Sequence, residues 1–318
     1  MKVRSGLNFS GSGKIWSARS IRTLLVFTAM FQFACYSTGQ PAQFDWKPVG
    51  EAIGKPGAVQ PDGVYKIGLP RTDLHVKVAD VEIKPTLALG SWLAFRKMAA
   101  ETMVMGDLVL TEDEVAPVMG ALQDGKIEIT ALHNHLLNET PRVMYVHISG
   151  HGDALKLAQA LHAALALTKT PLVAASPAAQ TEQIDLDTKQ LDQILGHAGK
   201  INGGVYQFAV PRAEKIAEGE IARGAETIPA SMGLATAINF QPTGSGRAAI
   251  TGDFVLLGSE VNAVIATLRA NGIAVTAVHS HMLDDSPHLF FMHFWANDDA
   301  LKLARGVRAA LDTTNSQR

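Results

Sequence analysis

GDLVLTEDEVAPVMGAL at residues 106–122 returns as GDFVLLGSEVNAVIATL at 252–268, and the correspondence continues downstream. ALHNHLLNETPRVMYVH (131–147) becomes AVHSHMLDDSPHLFFMH (277–293), and DALKLAQALHAAL (153–165) becomes DALKLARGVRAAL (299–311). Aligned without gaps at a constant shift of 146, residues 106–165 and 252–311 are identical at 25 of 60 positions. A repeat of this length means one structural unit used twice. Upstream, Gly63-Val64-Tyr65 and Pro70-Arg71 reappear as Gly204-Val205-Tyr206 and Pro211-Arg212 at a shift of 141. The repeats are placed at 45–168 and 190–314. Between them, 169–189 has the Pro, Ala, Ser and Gln content of a linker.

The periodicity within one unit gives its elements. Val115, Val118, Met119 and Leu122 stand at i, i+3, i+4 and i+7, as do Val261, Val264, Ile265 and Leu268, which predicts one amphipathic helix per repeat. Glu114 and Glu260 near the starts of these helices favour the helix dipole. Strands are expected over 102–110 and 248–257, then over 127–135 with 142–149, and over 273–281 with 288–296. Pro141 and Pro287 lie in the polar connections, which makes each later pair a hairpin. Asp153 and Asp299 stand where a closing helix needs a cap. The expected fold class is α+β: two homologous β-α-β-β-α repeats with mainly antiparallel sheets.

Composition narrows the function. Apolar residues make up 47% of the 318 and charged residues 18%, so the chain can bury a core and is not of the disordered class. With 28 Lys and Arg against 30 Asp and Glu there is no basic excess for phosphates, and no nucleic-acid partner is expected. A single cysteine, Cys35, excludes disulfide scaffolds and zinc sites built from several thiolates. The phosphate-binding GxxxxGK[ST] loop, GxGxxG and the GxSxG elbow are absent from the sequence.

Histidine placement is the chemical signal. Of eleven histidines, eight fall within 133–151 and 279–293, and His133, His135 and His147 match His279, His281 and His293 one for one. Residues i and i+2 of a strand share a face, and a hairpin turning near Pro141 can carry His147 opposite His133 and His135. Converging neutral imidazoles suit a divalent transition metal, zinc foremost, with Cu, Fe, Ni and Mn as alternatives. Hydrogen-bonded packing is the competing reading for the same rings. Glu139 and its counterpart Asp285 lie in the connections and are the candidate general bases acting on a metal-bound water. His151 and His288 have no histidine partner in the other copy and are assigned supporting places at most. Arg71 and Arg212, each beside a proline, are read as structural ion pairs, with anion binding as the alternative.

The amino terminus reads as an export signal, taken as 1–42. Lys2, Arg4, Lys14, Arg19 and Arg22 precede an uncharged run, TLLVFTAMFQFA at 23–34, which is too short to span a bilayer. Cys35 follows that run, where a lipid-modified cysteine would stand. The HNH…P…H and HSH…P…H blocks, the GDLVL opening and the DALKLA helix resemble the LppY/LpqO-type bacterial lipoproteins, over about 45–312. That resemblance implies a bacterial envelope protein built on a duplicated domain of unknown function. The reading is an exported two-repeat metal-binding protein, extended to a metal-dependent hydrolase. The alternatives are a non-enzymatic metal- or anion-binding lipoprotein and a structural envelope module. The partner is an unidentified small or anionic ligand, and the membrane is reached only through the signal or a lipid anchor. Fractionation of the native host is expected to find the protein outside the cytoplasm, beginning at or after residue 35. Cytosolic protein with an intact amino terminus would contradict this.

Overall fold

Met103, Met105, Asp107 and Val109 alternate with Val104, Leu108 and Leu110 along one strand, and every one of them is buried. Burial on both faces means a sheet covered on both sides, and a computed structural model shows what covers it. It describes residues 44–172, 183–218 and 226–317, and the described residues of both halves belong to one unit. The expected signal with Cys35, and 173–182 of the linker, lie outside the described residues.

The first half runs α1 (Lys47–Ile53), β1 (Ala58–Val59), β2 (Tyr65–Pro70), β3 (Lys77–Val78), β4 (Val81–Glu82), α2 (Pro85–Ala88), β5 (Gly90–Lys97) and β6 (Thr102–Thr111). It continues with α3 (Glu112–Asp124), β7 (Glu128–His133), β8 (Glu139–Thr140), β9 (Val143–Gly152) and α4 (Ala154–Leu165). The second half runs α5 (Thr188–Leu195), β10 (Lys200–Asn202), β11 (Val205–Pro211), β12 (Ala217–Glu218), β13 (Ala235–Gly244) and β14 (Arg247–Leu257). It closes with α6 (Val261–Ala270), β15 (Ala274–His279), β16 (Asp285–Ser286), β17 (Leu289–Asp299) and α7 (Ala300–Leu311). The main sheets have orders β1-β2-β5-β6-β9-β7 and β10-β11-β13-β14-β17-β15, with every neighbouring pair antiparallel. The fold is therefore α+β with two similar halves, as the repeat predicts. Gly244-Ser245-Gly246 forms the tight turn between β13 and β14, all three residues at positive φ.

Side-chain alternation sorts the layers. Val104, Leu108 and Leu110 of β6, with Val146 and Ile148 of β9, pack under α1, α3 and α4. Ile250, Phe254 and Leu256 of β14, with Met292 and Phe294 of β17, pack under α5, α6 and α7. The opposite faces meet each other. Met103 and Met105 pack with Val255, Leu289 and Phe291, while Val109 and Tyr145 pack with Val205, Ala249 and Trp295. The order of layers is helices, sheet, sheet, helices, and the odd-numbered positions of the central strands face the seam between the halves. Among the described residues no helix is long and apolar enough to cross a membrane.

The two recurrent arginines hold each half together. Fully buried Arg71 donates to the Val109 carbonyl at 2.7 Å, to Glu114 at 2.7 and 3.2 Å, and to Asp73 at 2.8 Å. Arg212 repeats this with Val255, Glu260 and Glu214. Burial alone would raise the Glu114 carboxyl. The hydrogen bonds from Arg71 and from the Thr111 and Lys169 amides outweigh it and hold the group below the ordinary carboxylate range. Both arginines are thus committed to carboxylates of their own half, as the structural reading expects. Asp153 and Asp299 cap α4 and α7, accepting from Leu155 and Lys156 amides and from the Lys302 amide. Arg71→Met leaves a buried carboxylate and a strand carbonyl without their donor, and is expected to lower unfolding free energy by about 3–5 kcal/mol in chemical denaturation. A loss below about 1 kcal/mol, the scale of exposed pairs, would refute the clamp.

Candidate metal centre

Asp107 stands directly across the β6–β9 ladder from His147, and Asp253 directly across the β14–β17 ladder from His293. Both pairs occupy odd-numbered positions, so all four side chains enter the seam. The glycine before each aspartate has a steric reason. A Cβ at Gly106 would come within 2.8 Å of the Trp92 carbonyl oxygen, and one at Gly252 would overlap the Ala237 carbonyl oxygen. The Gly252 carbonyl also accepts from His293 Nδ1 at 2.9 Å. A carbonyl can only accept, so this bond places a proton on Nδ1 and leaves Nε2 as the buried nitrogen without a partner. The Gly106 carbonyl is the matching contact for His147.

The His-x-His segments reach the same place by leaving the ladder. The expected strands through His135 and His281 stop instead at His133 and His279. The register of each edge strand shifts just before, between Ile129 and Ala131 and between Val275 and Ala277. The skipped residues are Thr130 and Thr276. Thr130 Oγ1 donates to the His281 carbonyl and Thr276 Oγ1 to the His135 carbonyl, each at 2.6 Å. The backbone of the second histidine in each segment is therefore tied to the other half, not to its own hairpin.

Six rings stack in cross-half pairs as a result. Centroids lie 3.6 Å apart for His133 and His279, 3.7 Å for His135 and His293, and 3.7 Å for His147 and His281. Tyr145 covers His135 and Phe291 covers His281, both at 3.3 Å. Asp107 Oδ2 lies 3.6 Å from His135 Nε2 and 4.0 Å from His147 Nε2. Asp253 lies 3.2 Å from His281 Nε2 and 4.0 Å from His293 Nε2. Ligand atoms lie within 4.8 Å of one another in three groups: His133, His135 and His293; His133, His147 and His279; Asp107, His135 and His147. Each could hold a metal ion, and two of the three draw on both halves.

The electrostatics follow from burial. His133, His135, His147, His279 and His281 are pushed to lower pKa first by desolvation and then by the neighbouring imidazoles, His293 included, which favours their neutral form. Burial raises Asp107 well above the carboxylate range, with Asp253 adding to it, and burial brings Asp253 up to about 6. Among the described residues, every one of the six rings has at least one buried nitrogen without a hydrogen-bond partner, and Asp107 and Asp253 each have such an oxygen. Buried polar atoms are seldom left unpaired, and a set of such atoms gathered at one locus could hold an ion.

The other expected site residues stand elsewhere. Glu139, on β8, pairs with Val78 of β3; it is buried, and its Oε1 has no partner. Asp285, on β16, accepts from His288 Nδ1 at 2.6 Å and from the Leu289 amide at 2.7 Å. Neither belongs to the groups of mutually close ligand atoms among the described residues. His151 bridges Glu101 and Glu218 at 3.3 and 2.6 Å. Sequence reasoning passed over Asp107, Asp253, Thr130 and Thr276. The signal was present, because all four are repeat identities, and the aspartates are charges inside apolar strand runs.

A search of curated proteins gives no match. Among solved structures, a trimeric bacterial microcompartment shell protein, PduB, is similar at 12% identity over 81% of this chain and 89% of its own, with a TM-score of 0.21. The family model described as Domain of Unknown Function (DUF1259) matches twice, over 47–167 and 189–313. With its two copies meeting at the histidine seam, the chain belongs to that family as a duplicated-domain member.

Proposed function

We propose that this protein is an exported metal-binding protein whose histidine seam holds a divalent transition metal. The observation that carries this reading is the set of buried, partnerless nitrogens on all six repeat-matched rings. A packing role for the histidines predicts protein partners for those atoms, and a metal site predicts lone pairs kept free. Neutral imidazole is the liganding form, and burial keeps five of the rings in it. An all-imidazole and carboxylate donor set suits zinc first, with copper, iron and nickel also fitting. The basic-then-apolar amino terminus and the resemblance to LppY/LpqO-type lipoproteins support the envelope location, with Cys35 as the candidate anchor.

A hydrolytic extension is favoured by one observation, the buried Glu139 Oε1 that has no hydrogen-bond partner among the described residues. A bound metal would supply a polarised water, and Glu139, close enough for its charge to act on the Tyr145 that covers His135, would be the candidate group to hold a proton there. Asp285, already accepting from His288 and Leu289, is the poorer base of the pair. Glu139→Gln separates the readings: retained metal with lost turnover supports hydrolysis, and a substrate-independent loss of metal removes it.

Metal analysis of the purified chain is expected to find stoichiometric transition metal, and His133→Ala to lower that content severalfold while far-UV circular dichroism stays unchanged. Metal-free protein whose thermal midpoint ignores added zinc, cobalt and copper would overturn the reading.

The chelated protein carries a pH signature. Below about pH 6.5 the unfolded chain takes up protons on imidazoles that the folded protein keeps neutral, so stability falls with acidification. Asp107 and Asp253, raised in the fold, act in the opposite sense, but they are two groups against five. The thermal midpoint of chelated protein is expected to drop between pH 7.5 and 5.5, and a rise over that range would contradict the assignment.

A further inference from the structure

A shift of 146 exchanges His133 with His279, His135 with His281, His147 with His293 and Asp107 with Asp253. The geometry respects that exchange. The stack of His135 on His293 matches that of His147 on His281, both at 3.7 Å, and His133 faces its own counterpart His279 at 3.6 Å. The aspartates take matching places, Asp107 beside His135 and His147, Asp253 beside His281 and His293. The placement of the rings therefore repeats with the roles reversed, whereas the groups of mutually close ligand atoms among the described residues centre on the first half and none is the image of another.

One of the close ligand groups, His133 with His135 and His293, takes the His-x-His pair of the first half and the third histidine of the second. Its image under the exchange is His279 and His281 with His147. We infer that the seam holds two metal ions, each bound by the His-x-His pair of one half and the lone strand histidine of the other. His133, His135 and His293 form one site with Asp107 beside it, and His279, His281 and His147 form the second with Asp253 beside it.

Ligand supply favours two ions over one. A transition metal on nitrogen and oxygen donors takes four to six of them, and the seam offers six imidazoles and two carboxylates. A single ion held by His133, His147 and His279 would leave His135, His281 and His293 with buried nitrogens still unsatisfied. The crossed arrangement employs all six rings. It also gives the Thr130 and Thr276 bonds a role, since each fixes the second histidine of one segment to the opposite half. Neither half then contains a complete site, and the two copies are held together by what they bind.

This inference rests on the metal-binding reading and adds the number of ions and the sharing of ligands. The test is native mass spectrometry of the intact chain loaded separately with zinc and with cobalt, supported by cobalt absorption titration. Two ions per chain are expected. His293→Ala and His147→Ala should each retain one ion, and the double variant none, with circular dichroism confirming that each variant is folded. If an alanine variant fails to fold, His293→Gln and His147→Gln replace it, and the wild-type count decides alone if those fail too. One ion per wild-type chain overturns the pair and leaves the metal reading standing. So does a set in which His147→Ala removes all metal and His293→Ala removes none, which places a single ion on one of the two groups that contain His147 and lack His293: His133, His147 and His279, or Asp107, His135 and His147. Absence of any bound metal overturns both readings together.

Discussion

Two antiparallel sheets press largely apolar faces together, and at the centre of that contact the polar atoms of six imidazoles and two carboxyl groups are withdrawn from water. The surrounding architecture is arranged around that burial. Each polar atom left without a partner in a protein interior costs about 1–3 kcal/mol, so a cluster of this kind is tolerated only with strong compensation. Part of it is local: the Met103, Met105, Val255 and Phe291 side of the seam and the Val109, Tyr145, Ala249 and Trp295 side bury apolar surface on either flank. A bound cation would supply the rest, by turning the orphaned lone pairs into ligand bonds.

The same constraint accounts for features that look unrelated when each half is viewed alone. Gly106 and Gly252 let neighbouring strands approach closely enough for the aspartates beside them to lie in the seam. The register shifts at Thr130 and Thr276 turn two hydroxyls toward the opposite half and release the His-x-His segments from their ladders. The arginine clamps lie at one end of the same central strands, bonding Val109 two residues from Asp107 and Val255 two residues from Asp253. Strand ends fixed in this way hold the carboxylates in place, and positional accuracy of that kind is what a preorganised ligand set requires.

Duplication also explains why two halves are needed. A single six-stranded sheet with helices on one face would expose its other face, apolar residues and imidazoles together. Pairing with a second copy covers both, and because the copies share one ancestral pattern, the two faces present matching rows. His133 meets His279, and the remaining rings cross over to pair with non-equivalent partners, as in a two-fold arrangement of like units.

The repeat, the helix faces at Val115 and Val261, the caps at Asp153 and Asp299 and the six matched histidines were legible from sequence, because each is a local or periodic pattern. Period-2 alternation puts His133 and His135 on one face, and the hairpin near Pro141 is what carries His147 opposite them. The edge strands were read two residues too long, through His135 and His281, because alternation continues there while the backbone partners change to Thr276 and Thr130 of the other half. Asp107 and Asp253 were passed over for a related reason: a charge in an apolar run gains its meaning only from the strand opposite. The sequence by itself determined the unit, its duplication and the donor residues, since those are properties of one chain segment. Which donors stand together was decided by the packing of one sheet on the other, because ligand sharing across the seam depends on contacts between residues 134–158 positions apart, beyond the reach of any local pattern.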